Sequence, residues 1–147
     1  MIINKQVGVF LNLVHCKFKQ YVNTIFNSHG FNLTAEQFLV MDTLWDEGVM
    51  SQQQIADTIL KDKNSVTKLI DALEKKGLVE RVAGRSDKRQ NLIHLTQKAV
   101  EIKKSITQVA IDTTDKIIKD IPREDLINFV KVLNKMAENI DSLEKKL

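Results

Sequence analysis

Ser51-Gln-Gln-Gln-Ile-Ala-Asp-Thr-Ile-Leu60 and, two residues on, Asp62-Lys-Asn-Ser-Val-Thr-Lys-Leu-Ile-Asp-Ala-Leu-Glu-Lys-Lys-Gly77 decide the fold. Ser51 with Gln54 three residues later makes a capping box, in which each side chain satisfies a backbone N–H that the helix start leaves unpaired, so a helix begins at Gln52. Ile55, Ala56 and Ile59 share one face of it, and Ala56 is small enough for a second helix to cross closely. The chain turns through Leu60 and Lys61. Asp62 then caps a second helix, its carboxylate accepting backbone N–H bonds at the positive end of the helix dipole. Val66, Leu69, Ile70 and Leu73 form one apolar stripe at helical period and must face a core. The opposite, N-terminal surface carries Lys63, Asn64, Ser65, Thr67 and Lys68. Two of these are cations for phosphates, and three are short polar side chains able to hydrogen-bond base edges. A helix-turn-helix inserts this part of its second helix into the major groove.

Downstream, Gly77 is expected in the left-handed conformation that ends a helix, with Lys75 and Lys76 at the negative end of the dipole. Leu78 to Val82 and Asn91 to Leu95 read as two strands around a glycine-containing loop, a β-hairpin wing. Arg85, Lys88 and Arg89 cluster at its tip, where a guanidinium on a narrow loop suits a minor groove. Asp87 is placed to orient Arg89 through a carboxylate–guanidinium pair.

These residues carry a resemblance. Ser51, the run from Asp62 to Arg81 with Leu73-Glu-Lys-Lys-Gly-Leu78 at its centre, and Asp87-x-Arg89 closed by Leu95-Thr96 together resemble the multiple antibiotic resistance regulator (MarR) family. The resemblance extends over nearly the whole chain. It implies a mainly α fold with a small β-hairpin wing, the winged helix-turn-helix over residues 34–96, and a helical dimerisation base from residues 1–30 and 97–147, all within one domain. It further implies a homodimer on pseudo-palindromic double-stranded DNA, usually acting as a repressor and often released by a small ligand or an oxidant; an apolar or aromatic small molecule is the effector expected here. The effector pocket of such proteins falls near Phe10, His15, Phe38, Met41 and Trp45.

The flanking segments agree with a helical base. Val7, Leu11, Val14, Phe18, Tyr21 and Ile25 repeat alternately by four and three along a helix over 3–27, and Phe10, Leu13, Val22 and Phe26 widen that apolar surface. Thr34-Ala-Glu-Gln37 is a second capping box, opening a helix that carries Phe38, Met41, Leu44 and Trp45 and ends near Gly48. Trp45 reads as a core anchor. Thr96 caps a helix to about Lys119 with Ile102, Ile106, Val109, Thr113 and Ile117 on one face. Ile121-Pro122 interrupts the chain, and a last helix carries the stripe Leu126, Val130, Leu133, Ala137 and Ile140. So much unused apolar surface calls for a partner.

Composition sets the remaining bounds. The 147 residues carry a net charge of only +3, but nine basic and five acidic residues fall in 61–96 whereas residues 1–60 hold three basic and five acidic, so the positive excess sits on the recognition helix and wing. No apolar run is long enough for a membrane span, and a cytoplasmic location is expected. His15, His29, His94 and Cys16 have no metal-ligand spacing, there is no glycine-rich phosphate loop or nucleophile elbow, and neither metal, cofactor nor enzymatic activity is expected. Cys16 excludes an intramolecular disulfide. It does not match the reactive cysteine of the family's peroxide-sensing branch, since it lies too near the Thr34 box and Tyr21 is the sole tyrosine, so a buried structural thiol is expected. Two rival readings stay open: a redox sensor acting through Cys16, and a helical dimeric scaffold for protein interactions that does not bind DNA.

Overall fold

The structure is a computed structural model that describes residues 2–86 and 90–147. Its elements run α1 (Ile3–Ser28), α2 (Ala35–Glu47), β1 (Met50–Ser51), α3 (Gln52–Ile59), α4 (Lys63–Lys75), β2 (Val79–Ala83), β3 (Asn91–Leu95), α5 (Gln97–Ile117) and α6 (Arg123–Glu144). They divide into two compact units, Met1–Thr113 and Thr114–Leu147. No described helix is long and apolar enough to cross a membrane.

In the first unit, both capping boxes form. Gln37 N–H donates to Thr34 Oγ1 at 3.1 Å and Thr34 N–H to Gln37 Oε1 at 3.2 Å, while Gln54 N–H and Ser51 Oγ meet at 3.1 Å and Ser51 N–H reaches Gln54 Oε1 at 2.9 Å. Asp62 caps α4 as its sequence position requires. At the other end of α4, Gly77 sits at φ +72°. Leu78 N–H donates back to Leu73 O and Gly77 N–H to Glu74 O, both at 3.0 Å, which satisfies carbonyls the helix end would leave free.

The sheet has one strand more than the sequence pattern reveals. β3 lies at its centre, antiparallel both to β2, with Val79 opposite Leu95 and Ala83 opposite Asn91, and to β1, with Met50 opposite Ile93. β1 is two residues long, too short to show alternation, and exists because β3 offers a free edge just where the chain enters α3.

Phe26, Val40, Met41, Ile55, Val66, Ile70, Leu73 and Ile93 are all fully buried and form one core joining α1, α2, α3, α4 and the sheet. On α1, however, only Val22 and Phe26 are buried, while the seam residues Val7, Leu11, Val14, Phe18 and Tyr21 are exposed. Val22 and Phe26, which merely widened the apolar surface in the sequence pattern, are the residues that α1 contributes to this core. Cys16 is exposed, not buried, because the packed part of α1 is its C-terminal end around those two residues.

In the second unit, α5 ends after Ile117, and Asp120 at φ +62° turns the chain towards Pro122 and α6. No residue of α6 is buried.

Candidate nucleic-acid interface

The N-terminus of α4 is built from its cap outward. Asp62 Oδ1 accepts Ser65 N–H and Oδ2 accepts the Ser65 hydroxyl, each at 2.8 Å. The backbone bond first and the side-chain bond second hold the Asp62 carboxyl below its ordinary range, so it stays ionised at the helix start. The Ser65 hydroxyl proton is thereby committed to Asp62, leaving its oxygen as an acceptor. Thr67 is engaged more fully: its Oγ1 donates to Lys63 O at 2.9 Å and accepts from Gln52 Nε2 at 3.2 Å. Of the five residues singled out on this helix, Lys63, Asn64 and Lys68 are exposed, whereas Ser65 and Thr67 are half-buried. The outward face is thus two ammoniums and one amide.

Sequence reasoning assigned no role to Arg81, which ties this helix in place. From β2 its Nε donates to Gln52 Oε1 at 3.1 Å, Nη1 to Glu74 Oε1 at 2.9 Å, and Nη2 to Asp71 Oδ1 at 2.5 Å and to Thr67 O at 3.4 Å. One guanidinium therefore locks α3, α4 and the wing strand together, using the fork that a lysine lacks. The available signal was Asp71 and Glu74, spaced three apart on the polar side of α4 and followed by an arginine in the next strand. Gln52, Gln53, Lys63, Thr67, Arg81 and Asn91 line a cavity of about 370 Å³ beside this junction.

At the wing, Arg85 is exposed. Asp87, Lys88 and Arg89 lie outside the described residues. Behind the helix-turn-helix, Glu36 on α2 accepts Lys19 Nζ of α1 at 2.9 Å and lies 3.8 Å from Lys61 Nζ in the turn before α4. The Lys19 bond is the largest cause holding the Glu36 carboxyl below its usual range.

The five residues assigned to an effector pocket do not share one setting. Met41 is fully buried in the core, and Phe38 packs edge-on between Phe26 and Trp45, with ring centroids 5.3 and 6.1 Å away. Trp45 is partly buried against the core as an anchor should be, although its indole N–H is buried without a hydrogen-bond partner among the described residues. Phe10 and His15 are exposed on α1. No cluster of His, Cys, Asp or Glu among the described residues could hold a metal ion.

A tight three-stranded sheet, two crossed helices with a capped and outward-facing second N-terminus, and a hairpin beside it define a winged helix-turn-helix protein. The family model "MarR family" matches residues 33–90, which take in α2 to β2 of this module but not β3. The chain is similar to the HTH-type transcriptional regulator MgrA of Staphylococcus aureus, 26% identical over 130 residues that cover 87% of this chain and 84% of MgrA. It is equally similar, at 26% over 138 residues and 94% of each chain, to the HTH-type transcriptional regulator MhqR of Bacillus subtilis. A mutant of MarR from E. coli complexed with operator DNA superposes with a TM-score of 0.82 at 23% identity, covering 89% of this chain and 93% of that one. The match to the MarR family model takes in 58 of the 147 residues, and the superposition shows that the chain has the winged helix-turn-helix fold.

Proposed function

We propose that the chain is a sequence-specific transcriptional regulator of double-stranded DNA, working in the cytoplasm as a homodimeric repressor and carrying out no catalysis. The observation that carries this reading is the N-terminus of α4. Lys63, Asn64 and Lys68 face outward from a helix whose other side is fixed by fully buried Val66, Ile70 and Leu73 and by the Arg81 junction. A surface that must read DNA needs this rigidity, because an error of an ångström in side-chain placement costs a base contact. In this reading Lys63 and Lys68 hold phosphates, Asn64 and Ser65 reach base edges or phosphate oxygens, Thr67 acts mainly through the Gln52–Arg81 junction, and Arg85, Lys88 and Arg89 enter the minor groove. Residues 34–96 form the DNA-binding module and residues 1–30 and 97–147 the dimerisation region, presenting two recognition helices about 34–36 Å apart. The relatives named as transcriptional regulators, and the MarR mutant solved with operator DNA, support it. A small apolar or aromatic effector acting near Phe38 and Trp45 releases the DNA.

Fluorescence anisotropy on a duplex from upstream of the chain's own gene, with unrelated duplex as competitor, tests this. Binding should be tighter to the upstream duplex and fall steeply with salt, and Lys63→Ala or Lys68→Ala should each reduce the log–log salt slope by about one. No binding to any duplex at low salt rejects the reading and favours a protein-interaction scaffold.

A further inference from the structure

A second cavity, of about 380 Å³, opens at the opposite end of α4 from the residues assigned to DNA. Its floor is apolar: Leu33 and Leu78 are buried, and Phe31 and Ile102 are partly buried against the core. Its wall is cationic, made by Lys75, Lys76 and Lys98, and no acidic residue lines it among the described residues. Two of these ammoniums are bonded to uncharged oxygens. Lys76 Nζ donates to the side-chain oxygen of Gln37 at 2.7 Å, and Lys98 Nζ donates to the main-chain oxygen of Lys76 at 2.8 Å. Lys98 and Lys75 also answer the negative end of the α4 dipole, which is work one cation can do. Lys76 is different, because it is drawn into partial burial towards a neutral amide. Such a group gains when an anion replaces water around it.

We propose that this cavity binds a small molecule joining a dianionic phosphate group to a flat apolar body. Three ammoniums around one opening favour a doubly charged head over a single carboxylate. Lysine binds phosphate as a point charge, so a group carrying two negative charges gains most from three of them. The ring of Phe31, with the His29 imidazole stacked behind it at 6.5 Å, gives the apolar body a face to rest on. The volume lies in the range of small-ligand sites.

Isothermal titration of the full chain with phenyl phosphate, benzoate and inorganic phosphate tests the site at constant ionic strength. Phenyl phosphate should bind saturably at one site per chain and roughly tenfold more tightly than either of the others, since each of those lacks one half of the recognition. Lys76→Met should weaken phenyl phosphate about tenfold while leaving the thermal midpoint near the parent value. Should Lys76→Met fail to fold, Lys98→Gln must show a loss in the same direction. Equal affinity for phenyl phosphate in parent and variant overturns the proposal, as does benzoate binding as well as phenyl phosphate, or no saturable binding of phenyl phosphate. None of these readouts involves DNA, so the site stands or falls independently of the proposed function.

Discussion

α4 and α6 carry the same kind of sequence signal and reach opposite ends. Each has an apolar stripe at helical period, yet Val66, Ile70 and Leu73 on α4 are fully buried while no residue on α6 is buried and Val130 remains 54% exposed. Periodicity declares a face in need of cover without naming the cover. α4 finds its neighbours in α2, α3 and β2. α6, and likewise the seam of α1, present exposed apolar rows, and the homodimer of the proposed function would supply a second copy to close them.

Truncating one residue in each stripe separates the two helices most strongly. Ile70→Ala removes a fully buried side chain and should cost about 2–5 kcal/mol in urea unfolding, whatever the protein concentration. Val130→Ala should lower the urea midpoint most where protein is concentrated and little where dilution has already separated the copies. A loss in Val130→Ala that is large and independent of concentration would mean that α6 packs within its own chain, and the contrast with α4 would vanish.

Next in size is the junction that holds α4 from its polar side. Arg81→Ala leaves Asp71 and Glu74 without their guanidinium, and because both carboxylates are about half exposed the loss should be limited to about 1–2 kcal/mol. Arg81→Lys should recover only part of it, since a single ammonium cannot reach Gln52, Asp71 and Glu74 together. Under the proposed function both variants should weaken DNA binding by more than their stability loss explains, measured at a temperature where each is fully folded. DNA affinity unchanged in Arg81→Ala would show that α4 is fixed well enough by its apolar side alone.

What was legible in the sequence is what a few neighbouring residues determine. The Thr34–Gln37 and Ser51–Gln54 boxes, the Asp62 cap and the Gly77 terminus each depend on groups within one helical turn, and each formed at the position read from the chain. Removing such a device has a local cost: Ser51→Ala should lose about 1 kcal/mol in thermal unfolding, with no change in the α4 stripe. The parts that escaped notice depend on distant partners. β1 exists through pairing with β3 some forty residues on, Arg81 meets Gln52 across 29 positions, and Thr67 faces inward because Gln52 lies there to meet it. The fully exposed set on α4 therefore narrowed from five side chains to three, with half-buried Ser65 keeping only an acceptor oxygen to offer DNA. The buried thiol expected of Cys16 failed for the same reason, since which stretch of α1 is packed depends on where α2 meets it, around Val22 and Phe26, not on the heptad itself.

The smallest effect turns on two bends, one in each unit. Leu60 between α3 and α4 and Asp120 after α5 both adopt left-handed backbone, at φ +57° and +62°. Asp tolerates that region because its short polar side chain can bond locally, whereas a leucine there sets its Cβ against the backbone. Leu60 is also 89% exposed, so its side chain returns almost no burial energy for the strain. Leu60→Gly should therefore raise stability by about 0.5–1 kcal/mol, the relief exceeding the added freedom of the unfolded chain, while Asp120→Gly should change it less. Thermal unfolding of the two variants beside the parent measures both. If Leu60→Gly instead destabilises the protein, the added freedom of the unfolded chain outweighs the strain relieved at this bend.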